Sequence, residues 1–212
     1  MKIIITILRS LMAVVLFAAT AVHAGPPEGK VVCFGDSITA GESSWVSLIG
    51  KKDDRLKMVN VGKGGRKTSQ KAELAPVIQA NKDAAWFFLF LGVNDIKTGG
   101  DASVKACVAN MADMIQRIKA GVPAAQIVVL APCHVDLKKM AERWPGKKLN
   151  ANANENLAQL EVAYKALATE NGVKFISLLN VVSFENLHDG LHPGPEGQQQ
   201  LAEAIWREFS KF

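Results

Sequence analysis

The chain has 212 residues, 49% hydrophobic and 21% charged, a balance that excludes a disordered, collagen-like or coiled-coil molecule and fits one compact domain. Its formal charge is +5, and without Lys2 and Arg9 the count falls to 23 cations against 20 acids, too mild an excess to indicate nucleic acid as a partner. Three cysteines, Cys33, Cys107 and Cys133, are too few and too odd in number for a disulfide framework, and a chain of this length buries a core without one.

The N-terminal segment comes first. Lys2 and Arg9 flank or interrupt an apolar start, residues 11–22 carry no charge, and Val22-His23-Ala24 precedes Gly25-Pro26-Pro27. The pattern predicts a signal peptide over residues 1–24, cut after Ala24, and a single domain over residues 25–212 in the periplasm or outside the cell. A spanning helix needs about 20 apolar residues, reached here only by running through Arg9, so no stable membrane insertion is expected after cleavage.

From there the chain alternates short apolar runs with longer amphipathic ones. Residues 30–34, 56–61, 85–91, 126–130 and 173–177 are apolar and bounded by Gly, Asn, Asp or Pro, as strands buried on both faces of a parallel sheet are. Between and after them, helices are expected near 44–51, 68–79, 103–120, 154–171 and 195–210. In the fourth of these, Leu157, Leu160, Tyr164 and Leu167 form one apolar stripe. This alternation predicts an α/β sandwich with right-handed crossovers. Residues 134–153 read as a long irregular stretch carrying Lys138, Lys139, Arg143, Trp144, Lys147 and Lys148. Cys33 on the first strand and Cys133 after the fourth read as small buried thiols, Cys107 lies on a helix, and export would permit two of the three to pair.

Ligands of open parallel sheets bind beyond the carboxyl ends of the strands, which directs attention to the residues after each run. After the first stands Gly35-Asp36-Ser37, a serine on a tight strand-to-helix turn, with its hydroxyl exposed and its amide near a helix N-terminus; a helix N-cap is the plain alternative. After the second, Gly62-Lys63-Gly64-Gly65 leaves backbone N–H groups approachable, or is only a turn. After the third, Gly92-Val93-Asn94-Asp95 supplies a side-chain amide that can face an oxyanion, or ordinary turn chemistry. Near the end stands Asp189-Gly190-Leu191-His192, where a spacing of three lets a carboxylate hold one imidazole nitrogen and leave the other free as a base. With an exposed serine this has the shape of a hydrolytic triad.

These four blocks, in this order and across nearly all of residues 25–212, resemble the signature blocks of the SGNH hydrolases, also called GDSL esterases. The resemblance implies a flavodoxin-like three-layer α/β/α sandwich around a five-stranded parallel sheet, and a carboxylic-ester hydrolase. It implies Ser37 as nucleophile, His192 as base and Asp189 as its orienting partner, with an oxyanion hole from the Ser37 amide, the Gly65 amide and the Asn94 side chain. Gly64 is a neighbouring alternative to Gly65. Asp36 and Asp95 are expected to order the loops. No cofactor and no metal are implied.

Rival readings are weaker. Lys63 to Thr68 superficially resembles a P-loop, but Arg66 and Val61 stand where it needs glycines, and no G-x-S-x-G elbow occurs. A metal-dependent phosphoesterase built on His188, Asp189 and His192, with Asp36 and Asp95 as further ligands, leaves Ser37, Asn94 and the glycines unexplained. A carbohydrate-binding protein without activity is a third class. The expected substrate is a small-molecule or glycan ester, with short acyl groups on a glycan favoured over a lipid or thioester of the lysophospholipase or thioesterase type. Lys63, Arg66, Lys67 and the 138–148 stretch are either a solvated surface or a cationic rim that draws in an anionic substrate, with Trp144 stacking on a sugar or acyl group.

Overall fold

A computed structural model describes residues 27–212, so the expected signal segment lies outside the described residues. Five strands, β1 (Gly29–Gly35), β2 (Leu56–Gly62), β3 (Trp86–Phe90), β4 (Gln126–Leu130) and β5 (Lys174–Ile176), form one parallel sheet in the order β2-β1-β3-β4-β5. Among the described residues seven α-helices run between and after them: α1 (Trp45–Gly50), α2 (Leu74–Ala80), α3 (Val93–Ile96), α4 (Ala102–Gly121), α5 (Leu137–Arg143), α6 (Ala153–Glu170) and α7 (Pro195–Phe209). A 3-10 turn over Thr68–Glu73 leads into α2.

Side chains alternate across the sheet, and β3 shows how this builds three layers. Phe88 stacks on Trp45 of α1 and meets Phe209 of α7 edge-on, so α1 and α7 cover one face. The opposite face is covered by α2, α4 and α6, where Leu157, Leu160, Tyr164 and Leu167 are buried as the stripe requires. Helices on both faces explain why β1, β3 and β4 are apolar nearly throughout.

Two expectations are corrected. The edge strands β2 and β5 are not buried on both faces: Lys57 and Asn60 are exposed. The stretch 134–153 is not irregular throughout, since it holds α5, whose start is capped by the Asp136 carboxylate accepting the Lys139 amide. Cys33, Cys107 and Cys133 are all free and buried, and burial pushes the Cys107 and Cys133 thiols up to about 12.

The strand order reverses between β1 and β3. The chain leaves β1 toward β2 on one side and β3 toward β4 on the other, and the loops that diverge from such a point open a crevice between them. Ser37 follows β1 and Asn94 follows β3.

The opposite end of the strands is closed differently. Phe212 stacks on Trp86, the first residue of β3, and the Lys174 ammonium lies 4.8 Å from the Phe212 ring.

Candidate active site

Past Gly35, the Asp36 carbonyl accepts the amides of Thr39 and Ala40 and closes a single turn that carries Ser37. The first helix, α1, begins only at Trp45. Ser44, not Ser37, is the N-cap of α1, so Ser37 is free of the capping role that competed for it.

Ser37 Oγ lies 2.9 Å from His192 Nε2, and His192 Nδ1 lies 2.6 Å from Asp189 Oδ2. The other Asp189 oxygen accepts the amides of Leu191 at 3.0 Å and His192 at 2.7 Å, an Asx turn that locks the carboxylate to the residues it serves. Burial acts to raise the Asp189 pKa, but the imidazole and the two amides outweigh it, and the net shift is downward. An ionised carboxylate against Nδ1 makes that nitrogen the donor and leaves Nε2 facing the serine hydroxyl as acceptor. Gly190 allows the turn: its φ is +84°, and a side chain there would overlap the Asp136 carbonyl and the Met140 amide at the start of α5.

The three donors expected of an oxyanion hole lie on the loops that follow β1, β2 and β3. Among the described residues the amides of Ser37, Gly64 and Gly65 make no hydrogen bond. Gly65 sits in the turn from Lys63 to Arg66 with φ +71°, the left-handed value that glycine adopts without cost. The Asn94 side chain is buried, and its Nδ2 donates to Asp36 Oδ2 and to the Arg66 carbonyl, both at 3.2 Å, long for such bonds. Its Oδ1 accepts from the Lys97 ammonium.

The two motif aspartates tie loops together. Asp36 also accepts the Ile38 amide at 2.9 Å, and burial pushes its pKa up to about 7. Asp95 accepts the Thr68 amide at 3.0 Å and the Thr68 hydroxyl at 2.8 Å, joining the third loop to the second.

The expected cationic rim needs revision. Arg66 is 5% exposed; its Nη1 donates to the Gly35 and Val61 carbonyls at 2.5 and 2.6 Å, and its guanidinium lies 4.1 Å over the Phe34 ring. It clips the ends of β1 and β2 together and offers nothing to solvent. The Lys63 ammonium is 2.6 Å from Glu73, and Lys139 donates to the Phe184 and Leu187 carbonyls. Trp144, which ends α5, meets the His192 ring edge-on at 6.3 Å, with the Lys147 ammonium 5.4 Å from the indole. Lys97 escaped the sequence reading, although its place three residues past Asn94, one helical turn on, was a signal.

The metal-binding alternative fares poorly on the same geometry. Ligand atoms of His188, Asp189 and His192 lie within 4.8 Å of one another. Both Asp189 oxygens are already engaged, however, and His192 Nε2 faces Ser37. Asp36 and Asp95, the further ligands that reading required, are held by Ile38, Asn94 and Thr68.

A cleft of about 640 Å³ opens beside Ser37 and His192 and is also lined by Glu42, Ser43 and His188. A second hollow of about 360 Å³, floored by Val46 and Met58, shares Gly41 and Glu42 with it. Among the described residues no helix is long and apolar enough to cross a membrane.

Comparison with known proteins places this arrangement. No curated protein matches the chain in sequence. Among solved structures, the carbohydrate acetylesterase Est24 from Sinorhizobium meliloti superposes with a TM-score of 0.69 at 22% identity, over 84% of this chain and 97% of its own. A lipase/acylhydrolase from Enterococcus faecalis gives 0.65 at 20% identity over 85% and 95%. The aryl esterase of M. smegmatis gives 0.68 at 17% identity over 84% and 97%. At these identities the likeness speaks for the fold, while residues 33–200 match the sequence profile of the GDSL-like lipase/acylhydrolase family. The chain therefore belongs to that family and is a carboxylic-ester hydrolase.

Proposed function

We propose that the protein is an exported serine esterase that removes short acyl groups, acetyl foremost, from a glycan, with Ser37, His192 and Asp189 as its triad. The observation that carries the reading is the unbroken relay from Ser37 Oγ through His192 to Asp189, at 2.9 and 2.6 Å. In this mechanism His192 Nε2 takes the serine proton as Oγ attacks the ester carbonyl, and Asp189 stabilises the imidazolium that results. The charge on the carbonyl oxygen meets the Ser37 and Gly65 amides and Asn94 Nδ2. His192 then protonates the departing alcohol, and water, deprotonated by the same nitrogen, releases the acid from Ser37.

The leaving alcohol has to stand within reach of His192, and the cleft on that side is lined by Glu42, Ser43 and His188, groups that suit hydroxyls. Its continuation past Glu42 leaves room for a further part of the alcohol, as a glycan has. A lipid acylhydrolase is favoured less, because the large hydrophobic side chains exposed among the described residues, Val162 and Phe184, lie outside the cleft. The acetylesterase activity of the Sinorhizobium relative points the same way. In this reading Trp144, edge-on to the His192 ring, packs on the substrate. Residues 1–24 act as the signal peptide of this reading, with residues 25–212 as the exported domain.

The test is a panel of p-nitrophenyl esters from acetyl to palmitoyl, followed by acetylated glycans, for the wild type and Ser37→Ala. Activity should be highest on acetyl, survive EDTA, and fall by several orders of magnitude in a folded Ser37→Ala protein. Retained activity in that variant would eliminate serine chemistry, loss with EDTA would revive a metal, and a palmitoyl optimum would transfer the protein to the lipid class. Export is checked by the mass of periplasmic protein, which should begin at Gly25.

A further inference from the structure

We propose that Lys97 is a positioning residue for the oxyanion hole: its ammonium holds the Oδ1 end of the Asn94 amide and draws electron density from it, so that Nδ2 meets the developing oxyanion as a stronger donor. The proposal rests on reading Asn94 as an oxyanion donor.

Asn94 lies in the first turn of α3 and Lys97 caps its end, three residues later, so the lysine stem runs back along the helix toward the amide. The ammonium donates to Asn94 Oδ1 and joins no salt bridge among the described residues. An ammonium that is half-buried without a carboxylate partner is costly, and the amide oxygen is what it has instead. Burial lowers its pKa, and Lys147 and Lys67 lower it further, against the pull of Asp36 and Asp189. The backbone beneath it is fixed from outside the helix. Asn150 donates its amide to the Lys97 carbonyl at 2.9 Å and its side-chain Nδ2 to the Ile96 carbonyl at 3.1 Å.

An amide is conjugated, so a positive charge on its oxygen makes the N–H more positive, and a chain of hydrogen bonds polarises along its length. In a partly desolvated site that field is weakly screened. The two 3.2 Å contacts of Nδ2, to Asp36 and to the Arg66 carbonyl, keep the nitrogen end turned toward the loops of β1 and β2. Both are long enough that a charged oxyanion at 2.7–3.1 Å would take a proton from them. Lys97 anchors the opposite end during that exchange. It touches neither the ester nor the reacting atoms, and acts only through Asn94.

Five proteins test this: wild type, Asn94→Ala, Lys97→Met, Lys97→Arg and the double variant of Asn94→Ala with Lys97→Met, each measured for kcat and KM on p-nitrophenyl acetate and for its urea midpoint. Asn94→Ala should lower kcat about 10²–10³-fold, and Lys97→Met about 10-fold or more, each with KM changed little. The double variant should be no slower than Asn94→Ala alone, because the lysine has nothing to act through once the amide is gone. Lys97→Arg keeps a cationic donor and should recover most of the lost kcat. An unchanged kcat in Lys97→Met, losses that multiply in the double variant, or an arginine variant as slow as the methionine one would each overturn the proposal. A wild-type kcat in Asn94→Ala would instead remove the oxyanion reading beneath it, and the proposal with it.

Discussion

Two aspartates within the site are pushed in opposite directions by their surroundings. Burial raises Asp36 to about 7, whereas the imidazole and the two turn amides hold Asp189 below the usual carboxylate range. Folded Asp36 therefore keeps a proton that the unfolded chain releases near pH 4. The stability it contributes is full below that pH and is lost as pH rises through 7. Asp189 contributes the reverse, a stability present above its unfolded pKa and lost as pH falls. Asp36→Asn cannot ionise, so its urea midpoint should gain on the wild type between pH 4.5 and pH 8. A difference between the two proteins that is the same at both values would show that Asp36 does not titrate in this range. The contacts that join Ser37, His192 and Asp189 were legible in the sequence, because Asp189 and His192 meet through a three-residue turn and Ser37 follows an apolar run. Arg66 was not, since its burial depends on Gly35, Val61 and Phe34, which lie up to 32 positions away and carry no mark of it. Lys97 was missed for a similar reason: its partner is one turn away, but only burial gives the contact meaning.

At the scale of elements, the site depends on turns clamped between helices. Gly190→Ala would force a side chain into a left-handed position and against the backbone where α5 begins, so a loss of about 2–4 kcal/mol is expected, with a fall in kcat as the Asp189–His192 turn shifts. Gly64→Ala meets nothing in its surroundings and has no such backbone demand, so its stability should stay within about 0.5 kcal/mol of the wild type. Urea unfolding of both variants checks the contrast, and equal losses would show that the clamp at Gly190 is not rigid. Strands and long helices were read to within a residue or two because their apolar periodicity is continuous. The helix α5 was hidden, as Leu137-Lys138-Lys139-Met140 gives only one short apolar repeat among charges. The exposed face of β2 was hidden because residues that line a sheet edge and residues that line its middle differ by little more than Lys57 and Asn60.

For the whole molecule, charge distribution rather than net charge bears on substrate choice. With Arg66 buried and Lys63 paired to Glu73, a cationic group remains in Lys67, Lys97 and Lys147, close enough for the outer two to shift the pKa of the middle one. Under the proposed function these draw in an acidic glycan ester. The value of kcat/KM for an anionic ester should therefore fall as salt rises from low to physiological ionic strength and beyond, while a neutral ester of the same acyl group stays flat. An equal response of both esters would reduce the lysines to a solvated surface.

The aromatic closure at the far end of the strands has a practical corollary. Gly29 begins β1 and Phe212 rests on the first residue of the adjacent β3, so both lie at the rim of the sheet opposite Ser37. A purification handle, a bead or a lipid tether fused at either end would present the cleft outward, and such immobilised enzyme should still reach esters on large, insoluble polymers.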